Sequence, residues 1–132
     1  MTGECVISSV EIREGSNRSK LVIDWTSDSS AGTVVSDSIE AVGYLAEIET
    51  IPGLLGDKVT TCPSDNYDIK ITDVYGYDIA AGKMGVNRSS SVAQRQLAAN
   101  PAWVDDYIII NISGAGNSKT GRLILWFDRS KP

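Results

Sequence analysis

The chain has 132 residues, 42% of them hydrophobic and 22% charged, and a formal net charge of −5. That length fits one domain, residues 1–132, with a core large enough to stand without staples, and the composition excludes wholesale disorder. The acidic balance, with no lysine- or arginine-rich run, argues against direct nucleic-acid binding, and no apolar stretch reaches the roughly 18 residues of a membrane-spanning helix.

Histidine is absent. This removes Ser-His-Asp and Cys-His nucleophile arrangements and the commonest transition-metal ligand. An enzyme built on this chain would have to run on carboxylates, lysine, tyrosine or cysteine. The two cysteines, Cys5 and Cys62, form neither a disulfide framework nor a zinc spacing. They read as reduced thiols, in keeping with a cytosolic site of assembly, with a Cys5–Cys62 pairing as the lesser alternative. Residues 1–20 hold no apolar core of a signal peptide, so none is expected.

Short apolar runs separated by Gly, Ser, Thr, Asp and Asn favour strands throughout. Cys5 to Arg13 is the first, with Val6, Ser8, Val10 and Ile12 alternating against Ile7, Ser9, Glu11 and Arg13. Glu14 to Asn17 turns the chain into Lys20–Thr26, where Leu21, Ile23 and Trp25 share a face. The pair is expected to form a hairpin. A polar loop, Ser27–Gly32, precedes a weaker strand over Thr33–Ser38, in which Asp37 and the serines suit an edge. Gly43 to Ile51 alternates Tyr44, Ala46, Ile48 and Thr50 against Leu45, Glu47, Glu49 and Ile51. A helix over Ile39–Glu47 is the competing reading, set aside because Gly43 interrupts it. Pro52–Asp57 carries two adjacent leucines between glycines. Leu54 and Leu55 read either as a lid on the core or as an exposed tip that docks on a neighbour.

Tyr67, Ile69 and Ile71 then alternate with Asp68, Lys70 and Thr72, which places Tyr67 in the core. Asp73–Gly76 is a turn in which Gly76 is free to take a positive φ. Asp78–Gly82 resumes as a short extended piece. Residues 86–102 form an insertion, a loop or a short helix over Val92–Ala99 capped by Ser90 or Ser91 and stopped at Asn100–Pro101. Tyr107–Ser113 and Gly121–Asp128 follow, joined by Gly114–Lys119, as the strongest hairpin signal. Ile108, Ile110 and Ile112 share one face, and Leu123, Leu125 and Phe127 another. About seven strands at this spacing predict an all-β, antiparallel two-sheet sandwich.

The acids Asp65, Asp68, Asp73, Asp78, Asp105 and Asp106 do not follow a calcium-loop order. In Asp73–Asp78, valine and tyrosines occupy the ligand slots, so turn-forming acids are the reading. No pair marks itself as a glycosidase dyad. Gly114–Asn117 lacks the lysine and helix of a phosphate loop. No cofactor or metal is expected. Tyr75 and Tyr77 flank a turn and are expected to be exposed. With Trp103 they suit an interface anchor set or a carbohydrate-stacking platform. Asn17-Arg18-Ser19, Asn87-Arg88-Ser89 and Asn111-Ile112-Ser113 match the glycosylation pattern, here read as chance.

Three groups of segments resemble small β-rich proteins encoded among the particle-structure genes of tailed bacteriophages. They are Leu21-Val22-Ile23-Asp24-Trp25-Thr26-Ser27-Asp28; Asp65-Asn66-Tyr67-Asp68-Ile69 with Thr72-Asp73, Asp78-Ile79 and Asn87-Arg88; and Ala115-Gly116-Asn117-Ser118 with Gly121. The similarity runs in order over roughly residues 20–128 and departs at 51–62 and 92–105. It implies a virion component without catalysis, and it carries no site residues. The expectation is a decoration or cement protein on the capsid, then a head-to-tail connector or tail component. The partners would be the major capsid protein or the connector and tail proteins, in a symmetric array or homo-oligomer assembled in the host cytoplasm. Leu54, Leu55, Tyr75, Tyr77 and Trp103 are the expected contact residues. A carbohydrate-binding module is the alternative.

Overall fold

A computed structural model describes residues 4–12, 18–28, 30, 32–53, 63, 67–80, 88, 94–97 and 102–128. All regular structure among them is strand: β1 Glu4–Ile12, β2 Arg18–Thr26, β3 Val34–Val35, β4 Ile39–Glu40, β5 Gly43–Pro52, β6 Asp68–Asp73, β7 Gln94–Leu97, β8 Trp103–Val104, β9 Tyr107–Ser113 and β10 Thr120–Asp128. The all-β, antiparallel two-sheet expectation holds. One sheet runs β1-β2-β10-β5, with β7 and β8 sharing the outer edge of β5. The other is centred on β9, with β6 along one edge and β3 then β4 along the other.

Alternation builds the core between them. Leu21, Ile23 and Trp25 of β2 and Leu123, Leu125 and Phe127 of β10 meet Ile69 and Ile71 of β6 and Ile108, Ile110 and Ile112 of β9. Tyr67 joins them and its ring lies 5.6 Å from that of Trp25, as its place in the pattern predicts. Each such side chain removed from water contributes about 1.5–3 kcal/mol, which is why the pattern dictates the faces. The β1–β2 hairpin forms, although the register shifts between Ile7 and Ser9 and interrupts the alternation expected there.

Three expectations need correction. The helix over Val92–Ala99 is not formed at Gln94–Leu97, which is strand β7. Its helix-favouring residues pair with Glu47–Thr50, and the Arg95 guanidinium bridges Glu47 at 2.8 Å and Glu49 at 3.5 Å. Tertiary pairing overrides the modest propensity of a four-residue segment. Secondly, β9 and β10 are not a hairpin, because they belong to different sheets. Both edges of each are taken: β9 by β6 and β3/β4, β10 by β2 and β5. Residues 114–119 instead cross from sheet to sheet, with Ala115 buried between them. Thirdly, strict alternation in β5 fails at a bulge opposite Trp126/Phe127. The extra residue brings Leu45 onto the same core as Ile48.

Thr33–Ser38 is an edge, as expected, but a broken one. Between β3 and β4 the buried Ser36 accepts a hydrogen bond from Ile110 N at 2.8 Å through its Oγ, and its own N donates to Ile110 O at 2.8 Å. A side chain thus fills the ladder position that the backbone vacates.

Two pairs of crossings close the slab at opposite ends. At the Ser27 end, the β2–β3 connection lies beside the β9–β10 connection. Ser27 Oγ donates to Gly116 O at 2.5 Å and accepts from Lys119 N at 2.8 Å, and Asp28 O accepts from Ser118 N at 3.1 Å. At the Trp103 end, β4 runs into β5 alongside β8 running into β9, tied by Ala41 N to Asp106 O at 3.1 Å and Leu45 N to Ala102 O at 3.0 Å.

Candidate functional site

The Trp103 end gathers most of the exposed rings and several acids. Pairing of Glu40 with Tyr107, and of Tyr44 with Trp103, brings segments from the two halves of the chain side by side. Between them lies a groove of about 360 Å³, lined by Ser38, Glu40, Val42, Asp105, Asp106 and Tyr107. Among the described residues no lysine or arginine lines it. Trp103 stands on β8, 44% exposed, with Tyr44 edge-on at 5.0 Å between ring centroids.

The β6 register places a third segment here. Asp73 pairs with Ile108, so the turn that follows β6 lies at the same end of β9 as Asp105, Asp106 and Tyr107. The turn is fixed by its own acid. Asp73 Oδ1 accepts from Tyr75 N at 2.9 Å and from Tyr77 N at 3.0 Å, while Asp73 N donates to Tyr77 O at 3.0 Å. Gly76 takes φ +84°, the left-handed geometry this turn requires. Asp78 then accepts from Ala80 N at 3.1 Å. Asp73 and Asp78 are therefore turn-forming acids. Among the described residues no three metal-ligating side chains converge.

Tyr75 and Tyr77, 78% and 71% exposed, are thus held outward on a hydrogen-bonded turn at the end that also carries Trp103. Leu54 and Leu55 lie outside the described residues. Gly53, just before them, is at the opposite end of β5, where its N donates to Thr120 O at 2.9 Å. Cys62 also lies outside the described residues. Glu40 and Val42 carried no signal in the sequence. Asp105-Asp106 was visible as an acidic pair, but nothing local announced that β4–β9 pairing would set Glu40 beside it.

Two other clusters are structural. Arg88 is buried, 4% exposed, with Nε donating to Thr50 Oγ1 at 3.1 Å and its backbone N to Tyr67 O at 2.8 Å. It links β5 of one sheet to the approach to β6 of the other. Burial pushes its pKa down, and the neighbouring Tyr67 acts the other way. On the outer face of the larger sheet, Arg122 holds Asp24 through Nε at 2.7 Å and Nη2 at 3.0 Å. That hydrogen bond raises the Arg122 pKa. Trp126 lies half-buried there with Lys20 Nζ 5.3 Å from its ring.

Comparison with protein-family models, curated proteins and solved structures found no match.

Proposed function

We propose that the protein is a non-enzymatic structural subunit of a tailed-phage particle, docking onto neighbouring subunits through the Trp103 end of its sandwich. Capsid decoration or cement is the first placement; a head-to-tail connector or tail component is the second. The observation that carries a docking role is the joint exposure of Tyr75, Tyr77 and Trp103 at one end of a hydrogen-bonded slab. Aromatic side chains on fixed backbone give large contact area at low entropic cost, and they are the residue types that anchor interfaces. The particle itself is inferred from the sequence resemblance. The absence of histidine supports a role without catalysis. The net charge of −5 suits contact with a basic coat patch rather than with packaged nucleic acid.

Mass spectrometry of purified particles with copy number tests this reading. Hundreds of copies mean decoration, about six or twelve mean a connector or tail ring, and none ends the proposal. The same three rings support a second reading, a carbohydrate-binding module in which Glu40, Asp105 and Asp106 accept from sugar hydroxyls. Glycan-array binding that is lost in Tyr75→Ala, with thermal unfolding unchanged, would favour it.

A further inference from the structure

The proposed docking role leaves open what chemistry the partner brings, and the Trp103 end carries information on that point. Among the described residues, its exposed large apolar side chains are Val42, Tyr75, Tyr77 and Trp103. The groove that opens at this end has Glu40, Asp105 and Asp106 among its six lining residues. Among the described residues, none of these three carboxylates has a salt-bridge partner. On the outer face of the larger sheet, Asp24 is paired with Arg122, and Glu47 and Glu49 with Arg95. Among the described residues, three exposed carboxylates therefore share this end with the exposed rings.

We propose that this end is the docking face for a lysine- or arginine-bearing, otherwise apolar segment of a neighbouring polypeptide. This rests on the docking role above and adds the partner's chemistry. The rings and Val42 take its apolar side chains. The cationic heads reach Glu40, Asp105 and Asp106, and the electron-rich ring faces attract the same heads. Charge decides among occupants. A second copy meeting this face with its own across a two-fold axis would set the same carboxylates against one another, and nucleic acid would bring phosphates to them; both are repelled. A basic segment alone satisfies rings and acids together.

The test uses the full chain and two synthetic peptides, one of alternating arginine and leucine, the other with glutamate for arginine, titrated by calorimetry. The basic peptide is expected to bind, more weakly as salt rises, and the acidic one not to bind. Combining Glu40→Gln, Asp105→Asn and Asp106→Asn weakens binding by about tenfold or more, and Trp103→Ala does so separately. Asp68→Asn, at the other end of β6, changes it by less than about twofold. Thermal unfolding of each variant verifies the fold. Equal binding by the triple variant, an equal loss with Asp68→Asn, or self-association that Trp103→Ala abolishes would overturn the assignment. Failure here with the protein present on particles removes this face and leaves the particle role standing. Binding as expected with no copies on particles supports the face and removes the particle.

Discussion

Gly121 stands opposite Trp25 in the β2–β10 register, and the indole lies across it. A Cβ at residue 121 would sit 2.4 Å from Cζ2, 2.5 Å from Cε2 and 2.8 Å from Nε1 of Trp25. Trp25 is only 1% exposed and packs against Tyr67, so the ring has no open side. It must retreat by roughly 0.6 Å to reach even a 3.0 Å contact, and overpacking of that kind costs about 1–3 kcal/mol. Alanine offsets up to about 1 kcal/mol of this, because glycine loses more backbone freedom in a strand. Gly121→Ala should therefore destabilise the fold by about 1–2 kcal/mol. For 132 residues the unfolding entropy is about 0.28 kcal/mol/K, so Tm falls by about 4–7 °C. Thermal and urea unfolding followed by circular dichroism measure it. The control is the same substitution in a Trp25→Phe background, where the indole atoms nearest the new methyl are gone. There its cost should shrink by about 1 kcal/mol. An unchanged or raised Tm for Gly121→Ala, or the same cost in both backgrounds, would refute the steric argument.

Three further outcomes follow from the geometry. Ser36→Ala strips the Ile110 amide of its acceptor in the centre of a sheet, so stability should drop by about 1–3 kcal/mol, with faster hydrogen exchange at Ile110 N. Gly32→Ala combines a φ of +66° with a Cβ 2.9 Å from the Gly116 carbonyl carbon, and should cost about 1–3 kcal/mol by urea unfolding. The Asp24–Arg122 pair should show a coupling of about 0.5–1 kcal/mol in a double-mutant cycle. Because the Arg122 pKa is raised in the folded state, its share is fully present below its ordinary value and is lost only as pH rises through the higher folded one. Arg122 therefore imposes no fall in that coupling between about pH 6 and pH 10, and a decline across this window would contradict the assignment.

Alternation made the core legible: Tyr67, Ile69 and Ile71, the isoleucines of β9, and Leu123, Leu125 and Phe127 all pack where a period of two sends them. What periodicity cannot carry is neighbourhood. The β9 and β10 patterns specify which side chains turn inward but are silent on which strand lies alongside, so a crossing read as a hairpin. Bulges are equally silent, since Leu45 and Ile48 look out of phase until an extra residue in β5 rephases them. Gln94–Leu97 is strand because of Glu47 and Glu49 across from it, information that lies far away in the chain. Arg88 was visible only as part of a short motif, and its burial against Thr50 and Tyr67 had no local sign. The candidate site was half legible. Exposure of Tyr75 and Tyr77 follows from their turn, whereas the meeting of Glu40 with Asp105 and Asp106 depends on strand pairing.

The two ends of the slab are built for different purposes, and that difference is itself testable. At the Ser27 end the crossings are sealed from within: Ser27 and Ala115 are fully buried, and Gly32 abuts Gly116 too closely for a side chain. Removing the Ser27 hydroxyl strands Lys119 N and Gly116 O, so Ser27→Ala should cost about 1–3 kcal/mol in folding. At the Trp103 end the described hydrogen bonds between the crossings are backbone ones, with Tyr44 edge-on to Trp103 beside them, and Tyr75, Tyr77, Glu40, Asp105 and Asp106 are exposed. Changing exposed side chains there, as in Tyr75→Ser with Tyr77→Ser, should shift folding by no more than about 0.5 kcal/mol. Docking should respond in the opposite way, with affinity for the basic peptide kept in Ser27→Ala and weakened in the double tyrosine variant. Each variant therefore needs both a Tm and a Kd. If the two losses track each other across variants, peptide affinity is following fold integrity, and the division of labour between the ends is wrong.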